Sequence, residues 1–502
     1  MAKKTDEEKT GGQLLGEKLL FNLKNCWDGA DAGELEKIEA FAKDYKQFLD
    51  AGKTEREFTR RALDMLIKNG FTNIEDLLEG RGPRPVLAPG AKVYQHIRNK
   101  SLVFAVIGSR PLIEGVNIVG AHVDSPRIDL KTNPLYEDSE LSMLDTHYYG
   151  GIKYYQWTTI PLAMHGTVIG RDGKRRDICI GEDEADPVFT ITDLLPHLAK
   201  EQMQKKASEF FDGEGLDILA GSRPYPDKKA KDRVKLYLLS LLHEKYGLTE
   251  EDFAGAEIEF VPAHRARDLG LDRSMIGAYG HDDRCCAYAG LSAALEFAKA
   301  GGKASGPKGE GKPAYRPPEK TVICLLTDKE EIGSMGNTGA QSRLFENFAA
   351  YLCSLSGGTY SEIDLRRCFS KSSMLSADVN AAYDPNYDSV YDKKTASYFG
   401  KGIVLTKYTG RGGKFGGSEA NAEFCQKVQA LLNKNKVQWQ YGDLGKVDKG
   451  GGGTIAQHVA NLGVEVLDCG IPVLSMHSPF EVISKIDLYT TYRGYIAFLR
   501  EA

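Results

Sequence analysis

Residues 321–333, Thr-Val-Ile-Cys-Leu-Leu-Thr-Asp-Lys-Glu-Glu-Ile-Gly, decide how the rest of the chain is read. Thr321 to Thr327 is an apolar run of the kind expected for a buried strand. It runs straight into Asp328, Lys329, Glu330 and Glu331, four charges of which three are acidic. Adjacent carboxylates repel, and crowding them at a strand end is costly unless a cation compensates. One glutamate there can hold a metal while its neighbour faces a water and takes its proton. A solvated turn is the plain alternative.

Outward from this run, strands alternate with helices. Lys92–Ile97 and Leu102–Ile107 read as a hairpin joined by Arg98-Asn99-Lys100, and Val116–Gly120 as a short buried strand. Met374–Ala377, Ile403–Thr406, Val464–Leu467 and Val473–Met476 read as further strands. Glu34–Leu49 has helical spacing. Thr54 and Glu57 form a capping box ahead of a helix that Gly70 stops. Cys285–Ala300 reads as a helix with alanine and leucine on one face, and Ser484 as the cap of a last helix to Leu499. This alternation predicts an α/β domain with a mostly parallel sheet. From about Ile128 to Pro262 the character changes to turns, charge and short strands, with one helical stretch around Val234–Lys245. That segment, 129–262, reads as an inserted second domain, which splits the first into 1–128 and 263–502. Gly301–Lys320, rich in glycine, proline and lysine, reads as an exposed loop.

Composition narrows the function. Of 502 residues, 41% are hydrophobic and 27% charged, so a sizeable core can form and whole-chain disorder is excluded. A net charge of −5 argues against a general nucleic-acid binder. No run approaches the roughly 20 apolar residues that cross a bilayer. Met1–Gly12 is polar and lysine-rich, unlike a secretory signal, and reads as a mobile tail. Nine cysteines, with no Cys-x-x-Cys pair, suit reduced thiols in a cytoplasmic protein better than a disulfide framework. Any metal then falls to histidine and carboxylate.

Five segments place such residues just after apparent strands, where open α/β sheets build their sites. His122-Val-Asp124 offers a ligand nitrogen, with Asp124 able to accept from the other ring nitrogen. Taken alone, this pair reads more simply as a structural histidine with its partner. Gly280-His281-Asp282-Asp283-Arg284 holds a carboxylate that can bridge two metal ions, or acidic residues favouring a helix N-terminus. Glu330 and Glu331 follow the 321–327 run, Asp378 follows Leu375-Ser-Ala, and His477 follows Leu474-Ser-Met. Together these are two histidines and three carboxylates, with one glutamate spare, a set suited to two zinc ions with positions left open for water. Copper and iron–sulfur chemistry want sulfur ligands and are excluded. Gly450–Thr454 lacks the lysine and spacing of a phosphate cradle and reads as a tight loop at the site.

In these motifs and their order, Ala121-His122-Val-Asp124-Ser-Pro126, Asp328-Lys-Glu330-Glu331-Ile-Gly333-Ser334, Ser376-Ala-Asp378 and Ser475-Met-His477-Ser478, the chain resembles the aspartyl aminopeptidase and vacuolar aminopeptidase I family. The resemblance implies a zinc-exopeptidase-like three-layer α/β/α catalytic domain, with 129–262 an inserted dimerisation or oligomerisation domain. It implies that His122 and Asp378 bind one zinc and Glu331 and His477 the other, with Asp282 bridging and Glu330 the general base. Where many members have Asp-Asn, this chain has Asp282-Asp283, so either aspartate could bridge. Ile160–His165 resembles a motif whose histidine reaches a neighbouring subunit's active site; read by itself, His165 is an ordinary structural histidine. Ile403–Lys414 departs from the family's pattern, with Lys407 the counterpart of a family lysine. The implied activity is removal of residues from peptides with a free N-terminus, with zinc replaceable by cobalt or manganese, in homo-oligomers built from dimers into a tetrahedral dodecamer. The alternative is a dinuclear-metal dipeptidase or deacetylase on a related fold; a non-enzymatic scaffold would not need the spare glutamate.

Overall fold

The computed structural model describes residues 9–80, 85–299, 316–357 and 359–502. The 321–327 run forms the strand Val322–Thr327, fully buried along its length. It lies inside a nine-stranded sheet. In spatial order the strands are Thr72–Asn73, Lys92–Ile97, Ser101–Val106, Val322–Thr327, Asn117–His122, Ser373–Ser376, Glu465–Gly470, Ile403–Thr406 and Trp439–Tyr441. The four strands from Val322–Thr327 to Glu465–Gly470 are parallel to one another. Antiparallel pairings flank them on both sides, so the sheet is mixed with a parallel centre.

Alternate side chains of these strands feed two separate cores. Leu102, Phe104, Val119, Ala121, Cys324 and Leu326 pack into one. Val103, Ala105, Ile118, Ile323 and Leu325 pack into the other. A strand with period-two side chains can be apolar throughout only when both faces are covered. Helices cover them: Ala32–Asp50, Glu55–Lys68, His281–Glu296, Ala422–Lys434 and Lys485–Glu501 on the first face, Leu344–Leu355 and Glu362–Ser370 on the second. This is the three-layer α/β/α arrangement.

A seven-stranded sheet is built wholly from residues 127–262 and carries its own core around Trp157, Met164 and Phe260. Its helix spans Arg233–Tyr246. A five-stranded sheet contains Met275–Ala278, Pro472–Leu474 and Glu481–Ser484. Among the described residues no helix is long and apolar enough to cross a membrane.

Local chemistry explains the boundaries. Thr54 and Glu57 form the expected capping box, and Gly70 follows the helix at φ 78°. Arg98 and Asn99, both at positive φ, turn the hairpin. Three expectations are corrected. Residues 1–8 of the expected tail lie outside the described residues, but Gly11 and Gly12 open a helix, Gly11–Leu19, capped by Thr10. The Cys285–Ala300 helix starts at His281 and ends at Glu296, and Ala300 lies outside the described residues. Most of Gly301–Lys320 also lies outside them. Ser484 sits at the start of the last helix, but its hydroxyl makes no capping bond, because the residue closes the strand Glu481–Ser484.

Candidate metal centre

The parallel strands end together, and their last residues open onto one cleft. His122 is the final residue of its strand and pairs in register with Thr327. Gly120 pairs with Ser376, which brings Asp378, two residues on, to the same edge. The turn after Thr327 carries Glu330 and Glu331. His281–Glu296 starts beneath this edge and presents Asp282. His477 arrives from the five-stranded sheet, beyond Leu474. His122, Asp282, Glu330, Glu331, Asp378 and His477 all line a cavity of about 590 Å³.

Asp282 is the hub. Its Oδ1 lies 3.3 Å from His122 Nε2 and its Oδ2 lies 3.2 Å from His477 Nε2. Glu331 Oε2 is 3.4 Å from the same His477 nitrogen, and Glu330 Oε2 stands back, 4.0 Å from His122 Nε2. The aspartate facing both histidines is therefore Asp282. Ligand atoms of His122, Asp283 and Asp378 also approach one another closely enough to surround an ion, as do those of His122, Asp282 and Glu331.

The backbone is bent to achieve this. Lys329, Ser334, Ser475 and His477 all take positive φ values. Left-handed conformations of non-glycine residues cost about 1–3 kcal/mol each and cluster at functional sites. Their neighbours hold them. Glu481 Oε1 accepts the His477 amide at 2.7 Å, and its Oε2 accepts the Asp282 amide at 3.0 Å. Asp124 Oδ1 and Oδ2 accept the amides of Glu330 and Glu331 at 3.1 and 3.2 Å. His122 Nδ1 lies 3.0 Å from the Asp124 carbonyl oxygen and 3.4 Å from its carboxylate. The carbonyl and the carboxylate of Asp124 thus both face this nitrogen, the carbonyl the nearer.

The charges do not balance. Burial pushes Glu330 up to about 7, against the pull of His122. Burial also drives Glu331 and Asp378 well above the usual carboxylate range. Asp282, despite its burial, is held low by hydrogen bonds to His122 and His477. Both histidines rise against the cost of burial, His477 to about 11, pulled up by Glu331 and Asp282. Glu331 Oε1 and both Asp283 carboxylate oxygens are buried without a hydrogen-bond partner. Orphaned carboxylate oxygens in a nitrogen- and oxygen-donor cluster fit divalent zinc, which takes both donor types and repays their desolvation.

Three contributors carry no signal in the motifs. Glu481 ties two loops together. Asp468 lines the cleft, accepts the Thr454 hydroxyl at 2.7 Å, and is raised by burial to about 6. Tyr149 comes from the seven-stranded sheet and donates to Asp124 Oδ2 at 2.8 Å. Gly450–Thr454 lines the cleft as expected, whereas Lys407 does not; its amine pairs with Glu419 at 3.0 Å. His165 is not among the cleft residues either. It is 2% exposed, with Nδ1 2.8 Å from Glu57 Oε1 and Nε2 3.1 Å from Glu182 Oε1. Both ring nitrogens are engaged within its own chain.

Known proteins share this architecture. The model of the aminopeptidase I zinc metalloprotease (M18) family matches residues 48–499. A probable M18 family aminopeptidase 1 of Clostridium acetobutylicum is 49% identical over 481 residues, covering 96% of this chain and 99% of the relative. The crystal structure of an M18 aminopeptidase from Thermotoga maritima superposes with a TM-score of 0.87 at 42% identity, covering 96% of this chain and all of that one. The dodecamer of yeast mApe1 shares the fold at a TM-score of 0.71 and 21% identity, covering 92% of this chain and 96% of that one.

Proposed function

Since the chain belongs to the aminopeptidase I (M18) family of zinc metalloproteases, we propose that it is an aminopeptidase with two zinc ions and a glutamate general base. One observation carries the reading: the Asp282 carboxylate stands between His122 and His477, one oxygen toward each. In this assignment His122 and Asp378 would hold one zinc and Glu331 and His477 the other, with Asp282 as their shared ligand. Such ions, when bound, supply Lewis-acid polarisation of the scissile carbonyl and acidify water.

The chain's own groups do the rest. Glu330 stands back from the ligand cluster, as a base must to reach a water without being consumed as a ligand. It takes the water's proton and returns it to the leaving amine. Asp124 fixes the turn that carries it by accepting two amides. The acidic cleft receives the substrate's free α-ammonium, and that contact makes the enzyme an exopeptidase. The family resemblance carries His165 toward a neighbouring subunit's active site, and within this chain its ring pairs with Glu57 and Glu182.

The seven-stranded unit, residues 129–262, is assigned to subunit assembly, and the homo-oligomer to dimers built into a dodecamer. The support is the family and the dodecameric state named for the yeast structure. Nine free cysteines fit a cytoplasmic, reducing setting.

The test is a panel of dipeptides and aminoacyl substrates, acidic, aliphatic and N-acetylated, assayed with zinc, cobalt, manganese or a chelator. Chelator-sensitive cleavage of free-amine substrates alone supports the reading. Cleavage of acetylated substrates alone moves the assignment to a deacetylase.

A further inference from the structure

The residues assigned to the metals all lie outside the seven-stranded sheet, at positions 122, 282, 331, 378 and 477. Yet the end of one strand of that sheet, Leu141–Tyr149, leads directly into the cleft. We propose that the turn Tyr149-Gly150-Gly151 is a positioning element that orients both histidines of the metal centre, making the inserted unit part of the catalytic apparatus.

Tyr149 holds the first histidine through Asp124. Its hydroxyl donates to Asp124 Oδ2 at 2.8 Å. With the amides of Glu330 and Glu331, that carboxylate has three donors around two oxygens. A carboxylate so tied cannot rotate, and the residue that carries it presents its carbonyl to His122 Nδ1 at 3.0 Å. The tyrosine ring is fixed in turn, because the Arg127 guanidinium stacks 3.8 Å from its centroid. Arg127 and Tyr149 are cross-strand partners, so the register of the sheet sets this pair.

Two residues later the same turn holds the second histidine directly. His477 Nδ1 donates to the Gly151 carbonyl oxygen at 2.8 Å. That bond leaves Nε2 free toward Asp282 and Glu331. Gly150, between the two contacts, has φ +76°, and a Cβ there would lie 3.3 Å from Pro126 and 3.4 Å from Glu331. Glycine lets the turn pass this close beneath the glutamate turn.

Partners that accept or relay the second nitrogen of a metal-bound histidine fix its tautomer and ring angle, and losing one costs about 10–100-fold in metal affinity or activity. Here the Gly151 carbonyl that holds His477 and the Tyr149 hydroxyl that ties Asp124, the partner of His122, come from three consecutive residues. The inference rests on the assignment of His122 and His477 as ligands, and the experiment separates the two. Zinc binding to metal-stripped protein is measured by competition with a chromophoric chelator, alongside kcat and KM on a free-amine dipeptide. Tyr149→Phe keeps the ring and loses the hydroxyl. It should lower zinc affinity or kcat by about 10–100-fold with little change in KM. Tyr148→Phe, one residue earlier, should keep wild-type values.

Asp124→Asn leaves one acceptor oxygen where the carboxylate had two, so the three donors can no longer all be satisfied. If tyrosine acts through Asp124, the double variant should lose little more than Asp124→Asn alone. Additive losses, a Tyr149→Phe chain matching wild type in zinc affinity and kcat, or an equal loss in Tyr148→Phe would each overturn the proposal alone. A wild-type chain that binds no zinc in the same titration would overturn the ligand assignment beneath it.

Discussion

His165 gives the sharpest prediction about stability, and it concerns pH. Its ring lies between Glu57, on the helix Glu55–Lys68, and Glu182, in the segment 127–262 that forms the seven-stranded sheet. Lys53 pairs with Glu182 at 2.6 Å, and Cys179 is the cross-strand partner of His165. Burial alone would hold the imidazole neutral, but hydrogen bonds to Glu182 and Glu57 win and raise it from 6.5 to about 9. A group raised on folding stabilises the protein fully below its unfolded value and loses that contribution as pH passes the folded value. The contribution is therefore complete below pH 6.5 and gone above pH 9. At about 1.4 kcal/mol per pH unit it amounts to roughly 3 kcal/mol. The assay is urea unfolding at pH 6 and pH 9.5 with saturating zinc, comparing wild type with His165→Gln. Other groups titrate in this window, but they do so in both proteins and cancel in the difference. The stability of wild type relative to the variant should fall by roughly 3 kcal/mol between the two pH values. A difference that does not change with pH would refute the argument, because it would mean the imidazole does not carry its proton into the folded state.

Glu330→Gln removes the proposed base while leaving the ligands; elemental analysis should show wild-type zinc, and turnover should fall about 10²–10⁴-fold. Near-normal rates would take the base assignment away from Glu330. His477→Ala should lose one metal equivalent and nearly all activity; two full equivalents by elemental analysis would remove it from the ligand set. Thr54→Ala breaks a capping box whose hydroxyl accepts the Glu57 amide at 3.3 Å. It should cost about 1 kcal/mol in denaturant unfolding, and an unchanged midpoint would show that water replaces the cap at no cost.

Strand ends were legible in the sequence because a change of polarity is written in residue types. Val322–Thr327 followed by Asp-Lys-Glu-Glu could be placed at a sheet edge without any three-dimensional information. Parallel register then did the rest: Thr327 pairs with His122 and Gly120 with Ser376, so polar residues just past each run had to meet. The choice between Asp282 and Asp283 was not legible, since adjacent residues at a helix start point in different directions that their order does not reveal. Only the turn of the chain there sends Asp282 to the two histidines and leaves Asp283 against Cys286 and Asp378.

What remained hidden shares a physical character. Gly151 acts through its carbonyl oxygen, and a backbone acceptor has no signature in residue type. Tyr149 ends a run, Thr146-His-Tyr-Tyr149, that reads as an ordinary strand, and its role depends on where that strand stops relative to Asp124. Glu481 lies within the stretch around His477, but its two acceptor bonds go to amides at 282 and 477, almost two hundred residues apart. His165 shows the converse. A motif resemblance carries it toward a neighbouring subunit, and nothing in that motif shows that Glu57 and Glu182 flank the ring and link it to the helix Glu55–Lys68. Ligand types can be read from the sequence because metals select them chemically. The groups that aim those ligands are selected only by position, and a chain that folds into several sheets decides position late, through where the strands of one sheet end beside another.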